Sequence, residues 1–554
     1  MSKEKEQSVI LFVAQFYKTS RITVVASIVL AIVQSTLLVG SSYLLKSIFD
    51  ALADTGFTLS IVMQGTAVVA LFVAGSALAL FARWQILGKV KRHISHLRNK
   101  LSDSFLNSSR ETWLQTPVDE VQLVIATETE RQDDMLNTLF GAAIPAAIVS
   151  TGLLGALLYF SPTLFLFAVV LLVIMSALQA TISGYLRSAT VQFHRAYERF
   201  FNGITFIGGY IELIQTRSTM KKEQEAQVQK TDSLRQASMQ IVKTTTLFRS
   251  LLENLVIIVI IVLIFVGSWL VATGEMSVGE LTSAYLIIWL LRSQLGTLAS
   301  GVPKIIAGKE SLKKISAFRQ QQTPMPISGD LKLAVRGELV LENVFFSYDN
   351  RTLLKGVNLR ATPGKCTALL GGNGSGKTTL IHLVLGFYSP QKGRILMDDC
   401  PLKALDLVHL RRQIGLVQQH PVLIDASIRT NICYGSPDAS EQQIQRAIQR
   451  AGLSDLIAEL DTGVESRLGE NGVRLSGGQR QAIALARALL CEPSMIILDE
   501  PTNHLDNESV NRLVGVLKSL PFAPTILLIS HNKKVLEMAD HAYLLSNGTT
   551  EKVK

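Results

Sequence analysis

The sequence predicts a helical polytopic membrane domain of six transmembrane helices followed by an α/β domain built around a phosphate-binding loop. Three observations carry this expectation. Apolar residues make up 48% of the 554 positions, and they gather in roughly the first 300 instead of spreading along the chain. Their runs reach about 20 residues or more, the length that crosses the hydrocarbon core of a bilayer as a helix. After the polar, proline-containing stretch RQQQTPMPISGD, short apolar strands alternate with amphipathic helices, the pattern of an α/β domain with a largely parallel sheet. Within that second half, GGNGSGKT at Gly371 to Thr378 stands between such a strand and such a helix.

The apolar segments fall at about 23–45, 61–87, 139–160, 164–185, 251–272 and 281–305, and the fifth, LVIIVIIVLIFVGSWLVA, is the clearest. The connections between them alternate. Those joining the first to the second, the third to the fourth and the fifth to the sixth are short and poor in Lys and Arg. The second-to-third connection carries Lys89, Lys91, Arg92, Arg98, Lys100, Arg110 and Arg131. The fourth-to-fifth carries Arg187, Arg195, Arg199, Arg217, Lys221, Lys222, Lys230 and Arg235. Basic residues mark the cytoplasmic side of a polytopic protein, so both long connections and both termini are expected there. The connections hold helix-forming residues with few Pro or Gly, and are read as membrane helices continuing past the bilayer, joined at tips near 117–122 and 203–212.

The net charge of +10 has the same positive-inside origin, and nucleic acid is not expected as a partner. The cysteines Cys366, Cys400, Cys433 and Cys491 all lie in the last third without a CxxC spacing, which fits reduced thiols in a cytosolic domain. The opening MSKEKEQ leads into an apolar run too long for a signal peptide.

In the second domain the chemistry is local. Gly371, Gly372, Asn373, Gly374, Ser375 and Gly376 form a turn whose backbone N–H groups curl round phosphates. Lys377 is placed to neutralise the terminal phosphates, and the hydroxyl of Thr378, with Thr379 beside it, opens the helix. SMIILDE is a buried strand ending in Asp499, suited to a metal-bound water, and Glu500, suited to orient and deprotonate an attacking water. A second glycine pair opens a helix at LSGGQ, residues Ser476, Gly477, Gly478 and Gln479, and is a second anion-binding helix start.

Taken in order, these motifs resemble the nucleotide-binding domain of ATP-binding cassette (ABC) proteins over nearly the whole second domain. FFSYD looks like the family's aromatic loop, which implies that Tyr348 stacks on adenine. IGLVQQHPVLI resembles the glutamine loop, implying Gln419 at the Mg2+ and at the membrane-domain interface. LSGGQ matches the signature, NHLD stands at the aspartate loop ending in Asp506, and TILLISHN supplies His531 as the γ-phosphate switch. A membrane domain over 1–322 fused ahead of an ATPase domain over 323–554, with RLGENG before the signature, resembles a half-transporter of exporter type. Two departures are visible: EPTNHLD where exporters more often read EATSALD, and Ala482 where Arg is common.

The resemblance implies ATP and Mg2+ as cofactors. It implies Glu500, His531, Gln419 and Lys377 as catalytic groups, and Thr378, Gln419 and Asp499 as metal ligands. Exporters of this type use two of each domain, so a homodimer is expected, with a heterodimer as the alternative. Each nucleotide would lie between the phosphate loop of one copy and the signature of the other. The implied function is ATP-driven export by alternating access of a small molecule, mature peptide or amphiphile across a bacterial inner membrane. The alternatives are a lipid flippase and an exporter-shaped importer. For the transported substrate, the expected cavity residues are Glu253, Trp289 and Arg292, although Glu253 and Arg292 can equally satisfy each other. Arg83, near the end of its span, is expected to snorkel.

Overall fold

A computed structural model describes residues 2–554 apart from 327–328, 350, 470–474 and 503–506, with backbone alone at 2–10, 55 and at positions within 171–187 and 248–263. It forms two compact units. One holds Met1–Leu106 with Thr116–Gln322, the other Asn107–Gln115 with Thr323–Lys554.

The first unit is all helical. Helices α1 (Ser2–Thr55), α2 (Leu59–Leu106), α4 (Val118–Phe160), α5 (Pro162–Gly209), α7 (Met220–Ala272) and α8 (Val278–Gln321) are each 43 to 54 residues long. Short helices α3 (Arg110–Gln115) and α6 (Ile211–Thr216) lie at the tips of the two long connections. At about 1.5 Å per residue, the long helices measure roughly 65–80 Å. The hydrocarbon core is about 30 Å thick, so each has length to spare beyond a bilayer. Among the described residues, Leu11–Asp54, Leu59–Leu106 and Val118–Phe160 hold windows long and apolar enough to cross a membrane, and Ile260–Ala272 is a shorter apolar stretch.

The first tip lies a few residues before the stretch expected from sequence, and the second at the end of its expected stretch. Pro117 does not turn the chain but precedes α4 in an extended conformation (φ −60°, ψ 145°), leaving α3 as the tip. Gly203, Gly208 and Gly209 are absorbed into the last turns of α5, which moves the second tip to α6.

Local caps set the opposite ends. Ser161 accepts the Leu164 N–H to start α5, and Ser277 with Glu280 forms a reciprocal capping box at α8. Glu280 also binds Lys46 at 2.7 Å, and Asp50 accepts the Gly279 N–H at 2.9 Å, joining the ends of α1 and α8. A Cβ at Gly279 would collide with the Lys46 carbonyl, so glycine permits that approach. Two π-helical stretches, Leu123–Glu128 and Leu139–Ala143, interrupt α4.

Packing is apolar around Phe16, Ile86, Val90 and Leu136, and again around Leu153, Leu157 and Ile287. Between α4, α5 and α8 lies a buried polar knot. The Glu128 carboxylate is fully buried and accepts from Arg131 at 2.8 Å, with Lys314 at 3.3 Å. Lys314 also binds Glu198 at 2.6 Å, and Arg131 meets His194 Nδ1 at 2.8 Å. A buried carboxylate needs such partners, because desolvating it alone costs several kcal/mol or more. Burial, reinforced by the Arg131 charge, pushes the His194 imidazole down to about 4.

The second unit carries two sheets. Strands β1 (Leu339–Tyr348), β2 (Arg351–Ala361), β4 (Lys392–Met397) and β5 (Cys400–Pro401) form an antiparallel sheet in the order β2-β1-β4-β5. Strands β3 (Cys366–Leu370), β6 (Ile414–Val417), β7 (Met495–Asp499), β8 (Thr525–Ile529), β9 (His541–Ser546) and β10 (Thr549–Lys552) form the other, ordered β10-β9-β3-β8-β7-β6. From β9 to β6 neighbouring strands are parallel. Both faces are covered, which is why β7 and β8 read as unbroken apolar runs. Their residues alternate between two cores. Leu369, Ile497 and Leu527 pack with the helix Lys377–Val384 (α9), while Ala368, Ile496 and Leu528 pack with the helix Gly477–Leu489 (α11). The helix Glu441–Arg450 (α10) joins the second core through Ile444 and Ile448.

Candidate functional site

The carboxyl ends of β3, β7 and β8 lie side by side, where open α/β sheets bind ligands. Between β3 and α9 the glycine loop turns sharply. Gly376 adopts φ +110°, and a Cβ there would stand 2.9 Å from Leu354 Cδ2. Lys377 is nearly buried, with Nζ donating to the Gly371 and Gly372 carbonyls at 2.7 and 3.1 Å, so its charge sits within the curl of the loop. The Ser375 hydroxyl is buried without a partner, an uncommitted polar group aimed where an anion would be received.

The register Asp499↔Ile529 sets the neighbouring strand ends level. Thr378 Oγ1 donates to Asp499 Oδ2 at 3.1 Å. Burial raises the Asp499 carboxyl above its ordinary value, against the Thr378 hydrogen bond. A hydroxyl and a carboxylate in contact, with the half-buried Gln419 amide following β6, are hard oxygen donors of the kind Mg2+ prefers. Glu500 has φ +46°, a strained conformation for a non-glycine residue, and its N–H donates to the Ile529 carbonyl at 2.8 Å. Its carboxylate lies 3.6 Å from His531 Nε2 and 4.0 Å from Lys377 Nζ. Lys377, Thr378, Asp499, Glu500 and His531 are thus gathered at one place.

Tyr348 ends β1, with its hydroxyl 3.2 Å from Thr379 Oγ1 on α9. Its ring contacts Phe346 and Tyr388 edge-on, at centroid distances of 4.9 and 5.4 Å. Arg110 of α3 lies over Trp113 and Phe387, and Ser109 and Thr112 hydrogen-bond Thr323, holding the first tip to the start of the second unit's main segment.

The LSGGQ residues stand apart from this group. Ser476 Oγ accepts the Gln479 N–H at 3.2 Å and Gln479 Oε1 accepts the Ser476 N–H at 2.8 Å, closing a capping box at the start of α11. The N–H groups of Gly477 and Gly478 have no acceptor among the described residues and open outward. Ser476, Gly478 and Gln479 border a cavity of about 310 Å3 shared with Pro501 and Arg512. Asp506 lies outside the described residues.

Two polar residues that sequence reading missed, one buried and one half-buried, hold α11. Asn431 is fully buried and donates to the Ile424 and Ser427 carbonyls, while its Oδ1 accepts from the Ile424 N–H. Arg487 of α11 donates to the Asn431 carbonyl at 2.7 Å, to Asn431 Oδ1 at 3.1 Å and to the Val422 carbonyl at 3.0 Å. The one sequence sign was a basic residue among the apolar positions of AIALARALL.

In the first unit, Trp289 borders an apolar cavity of about 620 Å3 with Leu45, Phe49, Ile264 and Tyr285. Arg292 follows three positions along α8, is half-buried and does not line that cavity. The Glu253 side chain lies outside the described residues. A second cavity of about 300 Å3 is bordered by Arg83, Gln34 and Gln294.

Residues 24–295 match the family model described as ABC transporter transmembrane region, and residues 354–503 match the one described as ABC transporter. An ATP-dependent lipid A-core flippase of Cupriavidus metallidurans is 29% identical over 535 residues, covering 94% of this chain and 89% of its own. A mitochondrial potassium channel ATP-binding subunit of Xenopus tropicalis is 35% identical over 290 residues, covering 51% of this chain and 42% of its own. Among solved structures, a bacterial Atm1-family ABC exporter with ATP bound superposes with a TM-score of 0.83 at 22% identity, over 96% of this chain and 94% of that one.

Proposed function

We propose that this chain, which belongs to the ABC transporter family as a half-transporter of exporter type, works as a pair of identical copies that carry an amphiphile outward. It is an integral membrane protein and an ATP-driven exporter, with ATP hydrolysis coupled to transport. The homodimer, the site roles, the orientation and the cargo are our reading.

The loop Gly371–Gly376 and Lys377 bind the ATP phosphates, and Tyr348 stacks on the base. Thr378, Asp499 and Gln419 hold Mg2+, which when bound neutralises charge developing on the phosphate oxygens. Glu500 orients the attacking water and takes its proton, and His531, 3.6 Å from Glu500, reports the γ-phosphate. The observation that carries the dimer is the free N–H pair of Gly477 and Gly478. It is a helix start of the anion-binding kind whose two glycine N–H groups have no acceptor among the described residues of the same copy, and a second copy's nucleotide-bearing phosphate loop would supply one. A second support is the apolar tip at α6, where Phe206, Tyr210, Ile211 and Leu213 are exposed and a second copy would cover them.

The basic long connections support a cytoplasmic ATPase unit and cytoplasmic termini, and the bacterial relatives support the inner membrane. The mainly apolar cavity at Trp289 and Tyr285 favours an amphiphile, and lipid flipping is the form of that activity named for the relatives. The test is the purified chain alone in lipid nanodiscs. Glu500→Gln should retain ATP binding and lose hydrolysis, and native mass spectrometry should find two copies. Hydrolysis that appears only after a different chain is added would refute the homodimer.

A further inference from the structure

The proposed reading leaves the chemical class of the cargo open, and one cavity of the membrane unit bears on it. It has a volume of about 300 Å3 and lies between α1, α2, α4 and α8, bordered by Ser27, Gln34, Arg83, Gly141, Gln294 and Thr297. Arg83 is the only charged residue between Asp54 and Lys89 in the sequence. Its neighbours further along α2 are matched: Lys91 binds Asp133 at 2.5 Å and Arg98 binds Glu130 at 2.9 Å. Arg83 has no carboxylate partner among the described residues, and the amides of Gln34 and Gln294 have no hydrogen-bond partner among them either. An intramembrane cation without a counter-ion marks a substrate path more often than a structural contact.

Beside Arg83 runs the second π-helical stretch of α4, Leu139–Ala143, whose Gly141 and Ala142 border the cavity. A Cβ at Gly141 would stand 4.0 Å from Arg83 Cγ, ordinary van der Waals contact, so the arginine stem packs along this part of α4. π-turns inside α-helices recur at functional sites. At about 30 Å3 per water, the cavity holds roughly ten waters, enough for a headgroup and too little for acyl chains. Arg83 lies four residues, about 6 Å, inside the cytoplasmic end of its span, the depth of the headgroup boundary of the inner leaflet.

We infer that this cavity receives the anionic headgroup, phosphate or carboxylate, of an amphiphile taken from the cytoplasmic leaflet. Arg83 binds the charge and Gln34 and Gln294 donate to its oxygens. A guanidinium fork with two free amides suits a planar or tetrahedral oxyanion, while the chains stay outside. The inference rests on the proposed exporter loaded from the cytoplasmic side.

The experiment uses the full-length protein in phosphatidylcholine nanodiscs and follows ATP hydrolysis against dioctanoyl-phosphatidylglycerol, dioctanoyl-phosphatidylcholine or inorganic phosphate. The anionic lipid should stimulate at the lowest concentration. Arg83→Gln should raise its half-stimulating concentration about tenfold or more, the size expected for losing one charged hydrogen bond, and leave that of the zwitterionic lipid in place. Arg83→Lys should recover most of the response. Gln294→Leu, which removes no charge, should weaken the anionic response a few-fold. Equal shifts for both lipids, no shift in either variant, or inorganic phosphate alone reproducing the response would overturn the assignment. Glu500→Gln separates the two readings. If hydrolysis depends on Glu500 but the anionic lipid has no effect, only the headgroup site falls. If hydrolysis survives Glu500→Gln, the catalytic reading falls instead.

Discussion

Replacing Asn431 by alanine tests how the helix that carries LSGGQ is held. The Asn431 side chain makes four hydrogen bonds: to the Ile424 carbonyl at 3.0 Å, to the Ser427 carbonyl at 3.1 Å, from the Ile424 N–H at 3.0 Å and from Arg487 at 3.1 Å. The loop they close is pinned on its other side, because Ile428 N–H donates to the Ser466 carbonyl and Leu468 N–H to the Ala426 carbonyl. Alanine takes one hydrogen bond each from three backbone groups and one guanidinium arm; the Ile424 and Ser427 carbonyls keep the Ala426 and Asn431 N–H groups, while the Ile424 N–H loses its acceptor. At about 1 kcal/mol net for each bond, and with partial hydration of the outer groups, the cost is roughly 3 kcal/mol. In a domain of this size each kcal/mol moves Tm by about 2–4 °C, so the ATPase unit should melt about 6–12 °C lower. Differential scanning fluorimetry of the purified protein reads this directly. Arg487→Met shares one bond with Asn431, so the double variant should cost less than the sum of the two single ones. A shift below about 2 °C for Asn431→Ala, or strict additivity, would refute the clamp.

Other consequences follow from the same geometry. Gly376→Ala forces a Cβ onto Leu354 at a residue with φ +110°, and should abolish nucleotide-dependent quenching and hydrolysis while costing about 1–3 kcal/mol of stability. Glu500→Gln should lower kcat by about a hundredfold or more with ATP binding retained, measured by phosphate release and fluorescent-nucleotide titration. His194 is held neutral, its folded value near 4 lying below the ordinary 6.5. Its contribution is therefore whole above pH 6.5 and lost as the pH falls toward 4. The drop in melting temperature between pH 7.5 and 5 should shrink in His194→Gln, as scanning fluorimetry at the two values would show. Burial pushes the Cys366 thiol up to about 12, so maleimide at pH 8 should label exposed Cys491 first and reach Cys366 only after denaturation.

What could be seen in the sequence follows from how far each function reaches along the chain. The phosphate loop, the Asp499–Glu500 pair and the LSGGQ helix start each work within one strand, turn or helix end, so a few consecutive residues reveal them. The membrane helices were visible for a similar reason, since an apolar run of sufficient length is a local property. The first tip is expected near 117–122 but falls a few residues earlier, because Pro117 serves as the cap of α4. Residues whose role depends on a distant partner stayed hidden. Arg487 and Asn431 are 56 positions apart, and Arg131 and His194 are 63 apart. In sequence, Glu128 and Arg131 look like an ordinary solvated helix pair, and only the packing of α5 and α8 against α4 turns them into a buried knot. The same holds for Arg83, whose place beside a cavity bordered by α1, α4 and α8 shows only in the fold. The residues proposed for hydrolysis are therefore legible one motif at a time. Those that couple one helix to another, and those proposed to meet the cargo, are defined by pairs of elements, and they emerge only when the fold brings those elements together.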